Sequence, residues 1–141
     1  MTTYNSDQYA AGNPVRAHGE SGGMQVARFT VTLAAAPATT DTINLGYMPA
    51  NARIVDGYAL PSDMDTGGTT LTLNIGDAGS QTRLFSALAA GVAAAVTRIT
   101  ATTAIGYKYT AKTLVTCVPQ ANATTGAAGT LEVVIIYYID E

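Results

Sequence analysis

Short segments in which apolar and polar residues alternate constrain this fold more than any other feature of the sequence. The clearest is 69–75, where every second residue is apolar: Leu71, Leu73 and Ile75. A period of two residues is that of a β-strand with one buried face. Similar segments follow one another along the chain, with Gly, Pro, Asn and Asp between them, at 26–33, 42–47, 53–60, 97–103, 107–110, 114–118 and 130–139. This succession predicts an all-β antiparallel sandwich or barrel.

Two segments depart from the alternation. Leu84, Leu88 and Val92 recur every four residues in an alanine-rich stretch, so we expect a short helical or irregular insertion near 82–95. Residues 1–23 are rich in Gly, Asn and Ser and show no periodicity. The sequence therefore predicts an extended N-terminal arm over 1–23 and a single β-sandwich domain over 24–141.

The composition limits the partners that this chain can bind. It has 141 residues, of which only 12 % are charged, and a formal net charge of −3. Seven Lys and Arg spread along the sequence form no basic patch, so we expect no nucleic-acid partner. The longest weakly polar run, 84–96, is shorter than the ~20 residues that span a bilayer, so we expect no membrane partner. The polar N-terminus lacks the features of a signal peptide, which predicts synthesis in the cytoplasm.

The residues that usually carry catalysis or bind metals are scarce. With one cysteine, Cys117, and one histidine, His18, the chain has neither an intrachain disulfide nor the usual Cys/His zinc site. A catalytic thiol would need a histidine partner, and His18 lies far away in the arm. We therefore expect no catalytic residues, no cofactor and no metal.

The only acidic cluster is Asp63 and Asp65, with Asp77 further along. A calcium-binding loop starting at Asp63 would need an oxygen ligand at its fifth position and a glutamate at its twelfth. Gly67 and Asn74 occupy those positions. We expect the two aspartates to stabilise a turn, in which aspartate side chains commonly accept hydrogen bonds from nearby backbone amides.

The last predicted strand, 130–139, is apolar on both faces. One face carries Leu131, Val133, Ile135, Tyr137 and Ile139, and most of the other consists of Val134, Ile136 and Tyr138. A strand in an ordinary antiparallel sandwich needs only one buried face. Either the strand is central and covered by a segment such as 82–95, or another subunit covers its second face.

Several blocks of the sequence resemble small structural proteins of the heads of tailed bacteriophages, the head decoration (capsid cement) protein family. These blocks, within residues 25–141, are 48–57, 63–67, 71–79, 107–110, 125–131 and the apolar last strand that ends in Asp140 and Glu141. The resemblance implies a jelly-roll-like β-sandwich, commonly trimeric, that binds the outer surface of the capsid where major capsid subunits meet. It implies no catalytic residues.

From these considerations we expect a homotrimer whose partner is the major capsid protein. The predicted location is the outer capsid surface of the virion, after synthesis in the host cytoplasm. The predicted subunit interface is Val134, Ile136 and Tyr138 on the outer face of the last strand. The predicted capsid contacts are Tyr4, Tyr9 and Arg16 in the arm.

The alternative function is a carbohydrate- or receptor-binding β-sandwich module of a phage tail or fibre. Its binding residues would be Tyr47, Tyr58, Tyr107 and Tyr109. The absence of tryptophan counts against it, because sugar-binding platforms favour large exposed rings.

Overall fold

The fold of this chain is known from a computed structural model, which describes residues 1–10, 23–92 and 95–141. These residues form ten strands and one turn of helix. The elements are β1 (Thr3–Asn5), α1 (Asp7–Ala10), β2 (Met24–Leu33), β3 (Thr42–Met48), β4 (Ala52–Pro61), β5 (Thr72–Asp77), β6 (Ser80–Ala89), β7 (Thr97–Arg98), β8 (Lys108–Tyr109), β9 (Thr113–Ala121) and β10 (Gly129–Ile139). The described residues include no helix that could span a membrane.

The strands pack as two sheets. Sheet 1 has the order β1-β3-β9-β5-β6, and sheet 2 has the order β2-β10-β4-β7, with β8 also paired to β4. All pairings are antiparallel except that of β1 with β3. The predicted all-β, jelly-roll-like antiparallel sandwich is confirmed.

The core lies between the sheets and consists of the alternate residues that the sequence pattern selects. Phe29 of sheet 2 and Ile43 of sheet 1 are fully buried. Gly46 allows the sheets to approach closely here, because a Cβ at this position would lie 2.5 Å from the Phe29 ring. β9 is the central strand of sheet 1, and β10 is an inner strand of sheet 2, between β2 and β4.

The helical interpretation of 82–95 is wrong over most of its length. Residues up to Ala89 belong to β6, which forms the edge of sheet 1 and pairs with β5. Leu84 and Leu88 are both buried. A spacing of four residues returns to the same side of a strand as well as of a helix, so the pattern did not distinguish the two. Beyond β6, the described residues 90–92, 95 and 96 are irregular.

The first ten residues of the predicted arm are part of the sandwich. β1 pairs in parallel with β3, with Thr3 opposite Thr42. The Ser6 hydroxyl is buried and donates a hydrogen bond to the carbonyl oxygen of Leu45. The remainder of the arm, 11–22, lies outside the described residues.

The connections between strands lie at two opposite ends of the sandwich. The threonine-rich end comprises the loops 34–41, 62–71 and 122–128. The charged end comprises the loops 49–51, 78–79, 99–107 and 110–112 together with the C-terminus.

Candidate functional site

The outer face of sheet 2 has β10 along its middle. β10 pairs with β2 on one side and with β4 on the other, so side chains from three strands lie next to one another on this face. Across the three strands the rows are Arg28, Val134 and Tyr58; Val26, Ile136 and Asp56; and Met24, Tyr138 and Arg53. The predicted interface residues Val134, Ile136 and Tyr138 therefore share one face.

This face exposes large apolar side chains. Met24 is 62 % exposed and Val26 is 56 % exposed. Ile136 and Tyr138 are half-buried, and Val134 is buried between its neighbours on β2 and β4. We call these residues, with Tyr58, the apolar face: Met24, Val26, Tyr58, Val134, Ile136 and Tyr138. Contiguous exposed apolar residues on a soluble domain typically mark a surface of interaction.

Charged residues around the apolar face form ion pairs with one another. Arg28 contacts Glu132 at 2.7 Å, and this hydrogen bond raises the pKa of Arg28. Asp56 accepts a hydrogen bond from the amide of Gly57 and pairs with Arg98, and both interactions lower its pKa. Because each of these charges already has a partner within the chain, a partner protein can cover the apolar face without leaving them unpaired.

The outer face of sheet 1 has a different character. Its paired positions include Asn44 opposite Thr116 and Asn74 opposite Val118, all of them half-buried. Tyr47 also lies on this face, where the Tyr9 ring stacks on it. Polar side chains therefore cover much of this face, as expected for a sheet that faces water.

The prediction that 82–95 covers the last strand is wrong, because β6 lies at the edge of sheet 1 instead. The alternative, cover by another subunit, stays a prediction. β10 is nevertheless an inner strand of sheet 2, between β2 and β4. The first interpretation also expected the last strand to lie inside its sheet.

The predicted capsid-contact residues lie on different parts of the chain. Tyr4 on β1 is half-buried and packs against the core. The Tyr9 and Tyr47 rings stack with their centroids 5.9 Å apart. Arg16 lies outside the described residues. The role of Tyr4, Tyr9 and Arg16 in capsid contact stays a prediction, and the structure gives the two tyrosines a role in packing within the chain.

The four tyrosines of the carbohydrate-binding alternative do not form one platform. Tyr58 lies on the apolar face of sheet 2, and Tyr47 lies on the outer face of sheet 1. Tyr109 is buried, and Tyr107 packs edge-on against it at 5.0 Å. The Arg83 guanidinium covers the Tyr107 ring at 3.7 Å.

The polar groups that sequence reasoning weighed for chemistry have structural partners. Cys117 is fully buried, which raises the pKa of its thiol. The amide of Asp65 donates to the Asp63 carboxylate at 3.0 Å, in agreement with the expected turn. Asp77 pairs with Arg83, a contact that no sequence pattern indicated. Among the described residues, no three metal-ligating side chains come together.

The chain is similar to chains in solved bacteriophage capsids. No protein-family model and no curated protein matches it. A chain in the solved capsid of Ralstonia phage GP4 is 30 % identical, with a TM-score of 0.86 and coverage of 99 % of both chains. A chain in the capsid asymmetric unit of cyanophage Pam1 is 31 % identical, with a TM-score of 0.76 and coverage of 89 % of this chain and 91 % of that one.

A more distant match shows the fold alone. It is a chain in the acid-stable capsid of Helicobacter pylori bacteriophage KHP30, 14 % identical, with a TM-score of 0.55. It covers 84 % of this chain and 95 % of that one.

Proposed function

Because the chain belongs to a family of bacteriophage capsid-associated proteins and is a structural protein of the virion, we propose that it is a decoration (cement) protein of the head. In this proposal it binds the outer surface of the shell of major capsid protein as a homotrimer. Its role is mechanical and involves no catalysis.

The apolar face is the observation that carries this proposal. Val26 and Met24 expose apolar surface beside Ile136 and Tyr138, and the neighbouring charges pair within the chain. The apolar part of this surface resembles the core of a protein interface, where charged residues are depleted. We infer that Val134, Ile136 and Tyr138 form the contact between subunits of the trimer.

A decoration protein that binds only the assembled shell stabilises that shell by mass action. A trimer presents three equivalent contacts, so it gains avidity for a repeating lattice even when each contact is weak. Closed rotational symmetry requires one ring-forming interface per subunit. With the apolar face used for contact between subunits, the two ends of the sandwich and the outer face of sheet 1 are available for contact with the shell.

Co-sedimentation with empty expanded shells of the major capsid protein tests the proposed function. We expect the purified chain to pellet with shells and to remain in solution without them. We also expect decorated shells to dissociate at a higher temperature than undecorated ones. A chain that stays in the supernatant at micromolar concentration with intact shells would contradict the proposal.

A charge on the apolar face tests the subunit interface. Ile136→Lys places an ammonium group in the middle of the proposed contact, so light scattering should give the mass of a monomer in place of a trimer. The matched control is Thr116→Lys, which puts the same charge on the outer face of sheet 1 and should leave the trimer intact. A monomeric parent, or a trimer unaffected by Ile136→Lys, would refute this interface.

A further inference from the structure

Exposed large apolar side chains lie at both edges of sheet 2. Met24 and Val26 are on β2, which is the outermost strand on one side, and we call this pair the β2 patch. Ile105 is 45 % exposed and lies on the other side, beyond β4. Its neighbour Gly106 donates its amide hydrogen to the carbonyl oxygen of Ile54 at 2.8 Å. One sheet therefore carries apolar surface at each of its two edges.

The β2 patch and Ile105 lie at the same height along the strands. Across β10, the β2 patch is level with the stretch 53–56 of β4. Ile105 lies beside Ile54, within that stretch. Rotation about an axis parallel to the strands does not change the height of any atom. In a ring of subunits around such an axis, the β2 patch of one subunit is therefore level with Ile105 of the next.

We propose that the β2 patch of one subunit contacts Ile105 of the next, in a ring whose threefold axis runs along β10. A trimer needs two different surfaces on each subunit, because a threefold axis brings one surface of a copy against another surface of its neighbour. The inference rests on the trimer of the proposed function. It adds the second surface, which the proposed interface on β10 does not include.

The other large apolar side chains exposed on the described residues lie closer to the threonine-rich end. They are Met1, Val92 and Val96. Val96 precedes Thr97, which is opposite Ala59 in β4, five residues along that strand from Ile54. Among these exposed apolar side chains, Ile105 is therefore the one that shares the height of the β2 patch across the sheet.

The width of sheet 2 is compatible with this ring. Neighbouring strands lie ~4.8 Å apart, so three sheets of four strands around one axis form a triangle with sides of roughly 15–20 Å. The centre of such a triangle lies roughly 4–6 Å from each side. Packed sheets lie ~10 Å apart, so one layer of side chains takes up ~5 Å. Val134, Ile136 and Tyr138 on β10 then fill the centre, and the two edges contact the neighbouring subunits.

The charged residues between the two edges have partners within the chain. Asp56 pairs with Arg98, and Arg53 pairs with Asp140. Arg53 also donates to the carbonyl oxygen of Gly106 at 2.6 Å, which fixes the loop of Ile105 beside β4. The ring can therefore close without leaving these buried charges unpaired.

An exchange of charge tests the contact between the two edges. Val26→Lys and Ile105→Glu each place one charge in it, so by light scattering each variant should need roughly tenfold more protein than the parent to form trimers. The variant with both substitutions has opposite charges at every contact and should assemble within about threefold of the parent concentration. Ala111→Glu is the matched control, since it adds the same charge at an exposed position on another loop of the charged end and should assemble as the parent does.

Cysteine cross-linking gives a second readout that does not depend on charge. With a short bis-maleimide, the chain that carries both Val26→Cys and Ile105→Cys should form linked trimers, because each contact brings two different thiols together. Either substitution alone should leave the subunits unlinked, since threefold symmetry holds the three copies of an edge residue at separate corners. Cys117 is fully buried, so the parent chain is the blank.

The outcomes distinguish this inference from the proposed function. If the parent is a trimer but the double charge variant assembles no better than the single ones, or Ile105→Glu assembles like the parent, the contact is overturned and the trimer stands. If a mixture of Val26→Lys and Val26→Glu restores assembly, β2 contacts itself about a twofold axis, which also overturns the contact. If the parent is monomeric, the trimer and this inference fail together, while pelleting with shells still tests the decoration role.

Discussion

Buried aspartates stabilise the two ends of the sandwich in different ways. At the threonine-rich end the Asp65 carboxylate accepts hydrogen bonds from backbone amides and a hydroxyl group. At the charged end the Asp77 carboxylate forms an ion pair with Arg83. The same chemical group thus fixes loop geometry at one end and neutralises a cation at the other.

The bonds to Asp65 connect two loops that lie far apart in sequence. The Thr125 amide donates to one carboxylate oxygen at 2.8 Å, and the Thr70 amide and hydroxyl donate to the other at 3.0 Å. These bonds, with that from Thr125 the largest contribution, lower the pKa of Asp65 to about 2 against the opposing effect of burial. Asp65 therefore connects the loops 62–71 and 122–128.

At the charged end, Asp77 balances several interactions. Burial acts to raise the pKa of Asp77, but the hydrogen bond from Arg83 and the amides of Ser80 and Gly79 outweigh it, so the pKa lies below its usual value. Asp140 has a more exposed partner, since the side chain of Arg53 is 35 % exposed. Most charged side chains of the described residues thus have partners within the chain, which leaves apolar and neutral surface for contacts.

The largest expected effect comes from Asp65→Ala. The substitution removes the shared acceptor of the partly buried Thr70 and Thr125 amides, and donors shielded from water that lose their acceptor are destabilising. We expect the midpoint of thermal unfolding to fall by roughly 10 °C. Asp63→Ala is the control in the same loop, because it removes one bond, that from the Asp65 amide, and should lower the midpoint far less. Equal effects of the two substitutions would show that Asp65 does not connect the loops.

The acid dependence of stability should also report on Asp65. A carboxyl group with a lowered pKa in the folded state stabilises the fold above its unfolded pKa, and this contribution is lost as the pH falls through the folded pKa. Stability of the parent should therefore decline from about pH 4 towards pH 2, the range between the ordinary value of an aspartate and that of Asp65. In Asp65→Asn this decline, followed by urea unfolding at each pH, should be shallower. A decline of unchanged steepness would assign the acid sensitivity to other carboxylates.

Sequence alternation predicted most of the strands because their inner faces are uniformly apolar. β4 and β10 begin and end within one or two residues of the predicted segments, and both pair along nearly their whole length. β7 is much shorter than the predicted 97–103, since only Thr97 and Arg98 pair with β4. Pairing depends on which strand lies alongside, and a single segment does not contain that information.

The apolar face was foreseeable only in part. The pattern of β10 identified Val134, Ile136 and Tyr138, because both of its faces are apolar. Met24 and Val26 were not identified, since their contribution appears only when the register places β2 beside β10.

The smallest expected effect is that of Asp140→Asn at the charged end. Its dependence on salt distinguishes an exposed, ion-paired carboxylate from the buried, hydrogen-bonded carboxylate of Asp65. The Arg53 hydrogen bond lowers the pKa of Asp140, but both side chains are about one-third exposed, so the pair is open to solvent and ions. Exposed ion pairs contribute little, and we expect the unfolding midpoint to fall by about 3 °C or less at low salt. In 1 M salt, where the screening length is about 3 Å, the difference from the parent should nearly vanish. The loss in Asp65→Ala should persist at both salt concentrations, because the donors to Asp65 are uncharged and partly buried, so salt screens these bonds little. A salt-dependent loss in Asp65→Ala would remove the distinction between the two ends.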